Sequence, residues 1–210
     1  VNLHLQRKQQ EPADLAGELV TIRRDVTTGN SQVEVQDNAS FLSTQSRLTA
    51  RRLVATEGRD GTSLLVAEGG VKGRLEGNEF ESGKALWDRA KRILDLQDLP
   101  RLREARGLEA AGFSIRTDAL KDRIEIRSGP GLRAAIRLPA GELGGAPGLA
   151  EANQIVVVTE DGAVAGIVLD GTGLVTDGTN WGGEVLLGDY RGFARVAHLT
   201  PAPLAGGDRA

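Results

Sequence analysis

The sequence predicts a mainly β protein of short antiparallel strands, in sandwich or fibre-like modules with a short central α-helical element; α+β is the alternative class. Three observations predict this class. Apolar and polar residues alternate over two stretches, Leu19 to Leu75 and Phe113 to Ala197. Turn-forming pairs of Asp, Asn and Gly separate the alternating runs. Between the two stretches, the apolar spacing changes to the period of a helix.

The first predicted element is an N-terminal arm, residues 1–18. Leu3 and Leu5 alternate with polar neighbours until Glu11 and Pro12 interrupt the pattern. Chain ends are ordered only when something ties them down. We therefore expect this arm either to pair with a partner or to be disordered.

A first β module is predicted over residues 19–81. Val33 and Val35 alternate with polar residues, and Ser63 to Ala67 forms a short apolar strand. In another strand candidate one face carries Leu48, Ala50, Arg52 and Val54, and the other carries Thr49, Arg51 and Leu53. Strand ends are predicted at the turn signals Thr28-Gly29-Asn30, Asp37-Asn38, Gly58 to Gly61 and Gly69-Gly70.

A helical element is predicted over residues 82–111. Ser82 is a candidate N-cap, and a second helical stretch follows Pro100 and ends at Gly112. The stripe that predicts the first helix consists of Leu86, Ala90, Ile93, Leu94 and Gln97.

A second β module over residues 112–200 and a flexible tail over 201–210 complete the predicted order. Ile124 and Ile126 alternate with charged residues, as do the apolar residues from Leu132 to Leu138. The continuous run Ile155 to Val158 predicts a strand buried on both faces. Asp-Gly pairs, which favour tight hairpin turns, occur at 60–61, 161–162, 170–171 and 177–178.

Composition excludes several classes of function. The net charge of −3 gives no electrostatic basis for binding nucleic acid, and no apolar run is long enough for a membrane-spanning helix. The chain has no Cys, which excludes disulfides and thiolate catalysis. Aromatic residues make up only 3% of the chain, so the core must consist of aliphatic side chains. We expect no cofactor, no nucleic-acid partner and no membrane insertion.

Motifs for catalysis are not recognised, so no catalytic residue is assigned and a non-enzymatic chain is expected. His4 and His198 have no Ser, Asp or second His at the spacing of a triad or a zinc site. The stretch from Gly77 to Ala85 imitates a phosphate loop. It has five residues instead of four between its glycines, two of them acidic, and Ala follows Lys84, so we interpret it as the capped start of a helix.

Acidic residues beside glycines are the candidates for a metal site. Asp161, Asp170 and Asp177, with Glu160 nearby, could supply oxygen ligands to calcium, although their spacing matches no EF-hand. The ordinary interpretation is that they are turn residues. A separate hypothesis is that the chain is a hydrolase that uses two carboxylates of this acidic cluster for acid–base catalysis. Separately, alternating arginines could form a basic face for an acidic partner: Arg123, Arg127, Arg133 and Arg137.

Three segments carry a resemblance to known families: RLTARRLVATEGRDGTSLLVAEGG (47–70), DRIEIRSGPGLRAAIRLPAG (122–141) and QIVVVTEDGAVAGIVLDGTGLVTDG (154–178). They resemble the short-strand, Gly-turn passages of bacteriophage tail-fibre, spike and other virion proteins. The resemblance implies a non-catalytic virion structural protein, homo-oligomeric with a trimer favoured, that contacts other virion proteins in assembly or host attachment. The first segment also looks like OstA-type β-jellyroll proteins that carry lipopolysaccharide. The alternative is therefore a glycan- or lipid-binding β module of the cell envelope, located outside the cytoplasm.

Overall fold

The fold is built from antiparallel strands, and the described part of the chain has no helix. The computed structural model describes residues 1–7, 10–75, 77–105, 107–138, 148–160, 163–169, 173–174, 180–181, 184–189 and 192–198. The strands of the first half are β1 (Asn2–Arg7), β2 (Gln10–Ala16), β3 (Leu19–Arg24), β4 (Ser31–Ser43), β5 (Ser46–Glu57), β6 (Ser63–Leu75), β7 (Asn78–Asp88), β8 (Ile93–Gln97) and β9 (Arg101–Arg103).

The strands of the second half are β10 (Glu109–Ala111), β11 (Ser114–Asp118), β12 (Arg123–Arg127), β13 (Ala134–Leu138), β14 (Gly148–Ala152), β15 (Gln154–Glu160), β16 (Ala163–Leu169), β17 (Gly173–Leu174), β18 (Asn180–Trp181), β19 (Glu184–Asp189) and β20 (Gly192–His198). All pair antiparallel, and β17 and β18 form a separate two-stranded sheet. The predicted mainly β class is therefore confirmed.

Four long strands, β4 to β7, form the centre of the sheet and pair in chain order. The two outer strands of this set have different neighbours at their two ends: β4 pairs with β2 and β3, and β7 pairs with β9 and β8. At one end the sheet continues through β1, β2, β9, β10, β13 and β14; these strands, together with that end of β4 to β7, are called the first wing. At the other end it continues through β3, β8, β11, β12, β15, β16, β19 and β20, which together with the other end of β4 to β7 are called the second wing.

A line of backbone irregularities crosses the long strands where the wings part, and we call it the break line. Asp37 and Asn38 in β4, and Gly69 and Gly70 in β6, all have positive φ, and the pairing register shifts at both places. Asp98 and Leu99, between β8 and β9, also have positive φ and lie beside β7, where the Gly83 amide donates to the Asp98 carbonyl at 3.0 Å. Asn, Asp and Gly tolerate this left-handed backbone best. The pairs Asp37-Asn38 and Gly69-Gly70, predicted to end strands, are therefore β-bulges inside strands.

One hydrophobic cluster joins the inner faces of both wings. Leu15, Leu48 and Phe80 contribute from the first wing, and Leu53 and Ile126 from the second. Each of these side chains is at most 3% exposed. In β5 the inner face passes from Leu48 and Ala50 to Leu53 and Ala55 because the break line shifts the register by one residue. The prediction that Arg52 and Val54 share a face with Leu48 and Ala50 is therefore wrong.

The predicted helical element at 82–111 is wrong. Ser82, the expected N-cap, is buried in β7 opposite Val71. Arg92, Asp98 and Leu99 have positive φ, which breaks a helix. Cross-strand pairing between β7 and its neighbours overrides the local helical spacing. The stretch 77–85 is accordingly a turn and a strand, not the start of a helix.

The two described strands of the predicted N-terminal arm pair within the chain. β1 and β2 form a hairpin, β2 pairs with β4, and Leu15 is fully buried. In β15, Ile155 and Val157 are buried while Val158 is exposed, so the predicted burial on both faces is also wrong. The division of the chain into modules and a tail stays a prediction.

Candidate functional site

A groove on the outer face of the first wing has a volume of about 850 Å³. The strands β5, β6, β7, β9, β10 and β13 form its floor. Neighbouring residues of a strand point to opposite faces. Phe80 and Leu102 are buried in the core, so the charged residues on either side of them point outward into the groove.

Strand register arranges the charged lining into two rows that run across the strands. The first, which we call the Arg47 row, contains Arg47, Arg74, Glu79, Arg103, Glu109 and Arg137 in successive strands. The second, the Lys72 row, contains Thr49, Lys72, Glu81, Arg101, Ala111 and Ala135. The groove is thus lined by six cationic side chains and three carboxylates.

Two of the three carboxylates are already in ion pairs. Glu81 pairs with Lys72 at 3.0 Å. Arg103 Nε donates to Glu109 Oε1 at 3.0 Å, and this hydrogen bond, together with the charges of Arg103 and Arg137, lowers the pKa of Glu109. Within the described ranges, Arg47, Arg74 and Arg101 make no ion pair. The groove therefore keeps a surplus of positive charge on a chain whose net charge is negative.

Arg47 and Arg74 occupy directly opposed positions on β5 and β6. Like charges at such positions destabilise a pair of strands. The second wing shows the opposite arrangement on the same two strands, where Arg52 faces Glu68. Arg52 binds Glu34 at 2.8 Å and Glu68 at 2.9 Å, and Lys84 binds Glu68 at 2.8 Å. That network is neutralised internally, whereas neither Arg47 nor Arg74 forms an ion pair with a described residue.

The predicted basic face is divided between the wings. Arg137 lies in the groove. Arg123 and Arg127 lie in the second wing, and both pair with Glu125, at 3.5 and 2.6 Å. Arg133 is half-buried just before β13. The four arginines therefore do not form one surface.

The two histidines lie in strands that do not pair with each other. His4 lies in β1, where its Nδ1 is 2.6 Å from Asp14 Oδ1 in an exposed pair, and His198 ends β20. Sequence reasoning found no acidic partner for His4 because Asp14 is brought opposite it by the β1–β2 hairpin.

The predicted calcium ligands Asp161, Asp170 and Asp177 lie outside the described residues, and Glu160 is the last residue of β15. They stay a prediction, as does the hydrolase hypothesis built on the same carboxylates. In the ranges that the structure describes, no three His, Asp or Glu side chains gather as a metal site. The described residues also include no helix that could span a membrane. The Asp60-Gly61 turn is confirmed, with Gly61 at φ 89° and the Thr62 amide donating to Asp60 at 3.0 Å.

Sequence reasoning missed the groove because its cations come from four separate parts of the chain. Arg47, Arg74, Arg101 and Arg137 are each unremarkable exposed strand residues in the sequence. Only the register of six strands places them on one surface. The one usable signal is Arg101-Leu102-Arg103, in which two cations flank an apolar residue.

Comparison with a solved structure gives a distant likeness. The chain is similar to LptH, the LptA homologous periplasmic component of the lipopolysaccharide transport device from Pseudomonas aeruginosa. The match covers 58% of this chain and 85% of that chain, at 11% identity and a TM-score of 0.48. A similarity at this level is too low to define a shared fold.

Comparisons of sequence point to an enzyme family. Residues 166–210 match the family described as carbamoyltransferase, Kae1-like domain, second subdomain. The chain is 72% identical over 51 residues to carbamoyltransferase HypF of Rhodobacter capsulatus, covering 24% of this chain and 7% of the relative. It is 47% identical over 62 residues to carbamoyltransferase HypF of Rhizobium leguminosarum bv. viciae, covering 28% and 8%. The chain thus spans less than a tenth of the length of these relatives.

These matches overturn several predictions made from the sequence. The expected virion structural protein, with its role in assembly or host attachment and its location in the virion, is wrong, because the relatives are enzymes of cellular organisms. The alternative of an envelope glycan- or lipid-binding module has no support from them either. The expectation of a non-enzymatic chain is contradicted, since the C-terminal part of this sequence is similar to carbamoyltransferases.

Proposed function

We propose that this chain takes part in carbamoyl transfer through its C-terminal segment, residues 166–210, acting as the second subdomain of a Kae1-like domain. The observation that carries the proposal is the 72% identity over 51 residues to carbamoyltransferase HypF of Rhodobacter capsulatus. A segment of this size buries too little surface to fold alone. The proposal is therefore that the segment completes a transfer domain and does not hold a whole catalytic centre.

The proposed role of the β strands before the segment is to hold it. β15 pairs with β16, β16 with β19, and β19 with β20, so strands that fall within 166–210 continue the second wing. Burial of alternate residues in both wings supports a layered, sandwich-like arrangement of the β modules around one core. In this proposal the strands before residue 166 form an accessory unit that is attached to the segment similar to carbamoyltransferases.

A segment exchange tests the proposal. Residues 166–210 of this chain would replace the matching residues of the Rhodobacter capsulatus relative, and carbamoyl transfer by the chimaera would be measured. We expect the chimaera to keep most of the activity of the unmodified relative, because identical residues preserve the packing of the segment against its domain.

The matched control replaces the same residues with a shuffled sequence of the same composition. It should abolish activity while leaving the rest of the relative soluble. If the chimaera folds, as judged by circular dichroism, but is as inactive as the shuffled control, the segment of this chain has lost the family's function and the proposal is wrong.

We also propose that the chain self-associates, with a trimer favoured. Two features support it: β3 pairs only with β4 among the described strands, and its Leu19 and Ile22 are more than half exposed. An unpaired strand edge with apolar side chains is suited to pairing with another chain. Light scattering after size-exclusion chromatography tests this, and a monomer at all concentrations would refute it.

A further inference from the structure

We propose that the groove of the first wing is a binding site for a phosphate-bearing anion, held between Arg47 and Arg74. This inference does not depend on the proposed carbamoyl transfer, because it concerns residues outside the matched segment. It begins from the two opposed arginines. Both are exposed, and neither makes an ion pair with a described residue.

The position of the two arginines suits one shared anion. Neighbouring strands are about 4.8 Å apart, so directly opposed side chains can reach the same group from two sides. A guanidinium presents its N–H groups in a planar fork that matches two oxygens of a phosphate. An anion between Arg47 and Arg74 would convert a repulsive cross-strand pair into an attractive bridge.

The rest of the groove favours a ligand with more than one negative charge. Arg101 also lacks an ion pair with any described residue, and Arg137 lies at the far end of the Arg47 row. A cavity of about 850 Å³ is much larger than a single phosphate ion. The chemical class that fits is a small molecule with two phosphates, for which pyrophosphate is the simplest probe.

Glu79 is the carboxylate that should weaken the binding of an anion at this site. It lies opposite Arg74 in the register, yet the described residues show no ion pair between them. Its negative charge repels an anion in the groove. Removal of this charge should therefore tighten binding, whereas a residue with a purely structural role would show no such gain.

Calorimetric titration of the full chain with pyrophosphate at low ionic strength tests the site. We expect binding, and we expect the double substitution Arg47→Gln and Arg74→Gln to weaken it about tenfold or more, since hydrogen bonds to charged groups are the strong ones. Arg47→Lys with Arg74→Lys should weaken it by a smaller factor, because lysine keeps the charge but loses the fork. Glu79→Gln should tighten binding about twofold to fivefold.

The matched control is Arg23→Gln with Arg24→Gln, which removes two exposed charges from β3, outside the groove. It should bind pyrophosphate like the unmodified chain. Circular dichroism confirms that each variant is folded. Three outcomes would overturn the proposal: no binding by the unmodified chain, equal weakening in the groove and control variants, or equally tight binding of citrate with the same dependence on Arg47 and Arg74.

Discussion

Replacement of Gly73 with alanine should destabilise the fold because the added methyl group has no room. Gly73 lies on the inner face of β6, directly opposite Phe80 of β7. A Cβ at Gly73 would lie 2.7 Å from Cε1 of the Phe80 ring, and closer still to Cζ. Carbon atoms in favourable contact are about 3.5–4.0 Å apart, so the ring would have to retreat by about 1 Å.

The size of the effect follows from where Phe80 lies. Its side chain is 3% exposed within the common core, so the ring cannot move into solvent. Overpacking of this kind costs about 1–3 kcal/mol of unfolding free energy. With Phe80→Leu, which alone costs about 1–2 kcal/mol, the methyl group gains space. In that background Gly73→Ala should be neutral, or stabilising by up to about 1 kcal/mol, because glycine is unfavourable inside a strand.

Urea unfolding followed by circular dichroism measures the four proteins of this double-mutant cycle. The expected coupling between the two substitutions is about 2 kcal/mol. Gly70→Ala is the matched control, because a Cβ there meets nothing within 4 Å while φ is +65°. Its cost should be the same in the unmodified chain and in the Phe80→Leu background. If Gly73→Ala costs the same in both backgrounds, the steric explanation is wrong.

Three further predictions concern charge, backbone and ring contacts. Hydrogen bonds from Arg52 and Gln36 lower the pKa of Glu34, and those from Lys84 and Arg52 lower that of Glu68, so this network stabilises the fold above pH 4.5 and loses its effect as pH falls through the lowered values. Arg52→Gln should therefore move the midpoint of acid unfolding to higher pH, while Arg24→Gln should leave it unchanged. At Asp37, where φ is 54°, valine should destabilise by about 1–2 kcal/mol in urea unfolding and glycine should not; equal effects would exclude backbone strain as the cause. Arg89 lies 5.5 Å from the ring centre of Trp87 and 5.9 Å from that of Phe41, and it pairs with Glu57 at 3.4 Å. Arg89→Gln should cost about 0.5–2 kcal/mol and change the emission of Trp87; an unchanged spectrum would show that Arg89 does not lie over the ring in solution.

The strand content of this fold could be predicted from local alternation, but its continuity could not. Val33 and Val35, or Ile124 and Ile126, are separated by one polar residue and are buried as expected. Asp37-Asn38 and Gly69-Gly70 gave the same local signal as a chain reversal, because both need positive φ. Whether such a pair turns the chain or bulges a strand depends on the neighbouring strand, which local sequence does not contain.

The helix predicted at 82–111 failed for a related reason. Leu86, Ile93 and Leu94 have helical spacing, yet Arg89 to Arg92 form a turn that folds β8 back onto β7. The groove as a whole could not be predicted, since Arg47 and Arg137 are separated by ninety residues and share a surface only through the pairing of six strands. The predicted function was wrong because it rested on the resemblance of short strands and glycine turns to virion proteins. The similarity to carbamoyltransferases lies in residues 166–210.

Because of the break line, the residues that face the core in one wing do not determine which residues face the core in the other. Within an unbroken strand, an insertion of one residue would turn every later side chain to the opposite face. Here each of β4, β5 and β6 already changes register at the break line, so a change in length there is absorbed where the backbone is irregular. One wing can therefore gain or lose residues, and exchange its outer charges, while the other keeps its core. A change of this kind in the first wing would also leave intact the neutral network around Arg52 in the second wing.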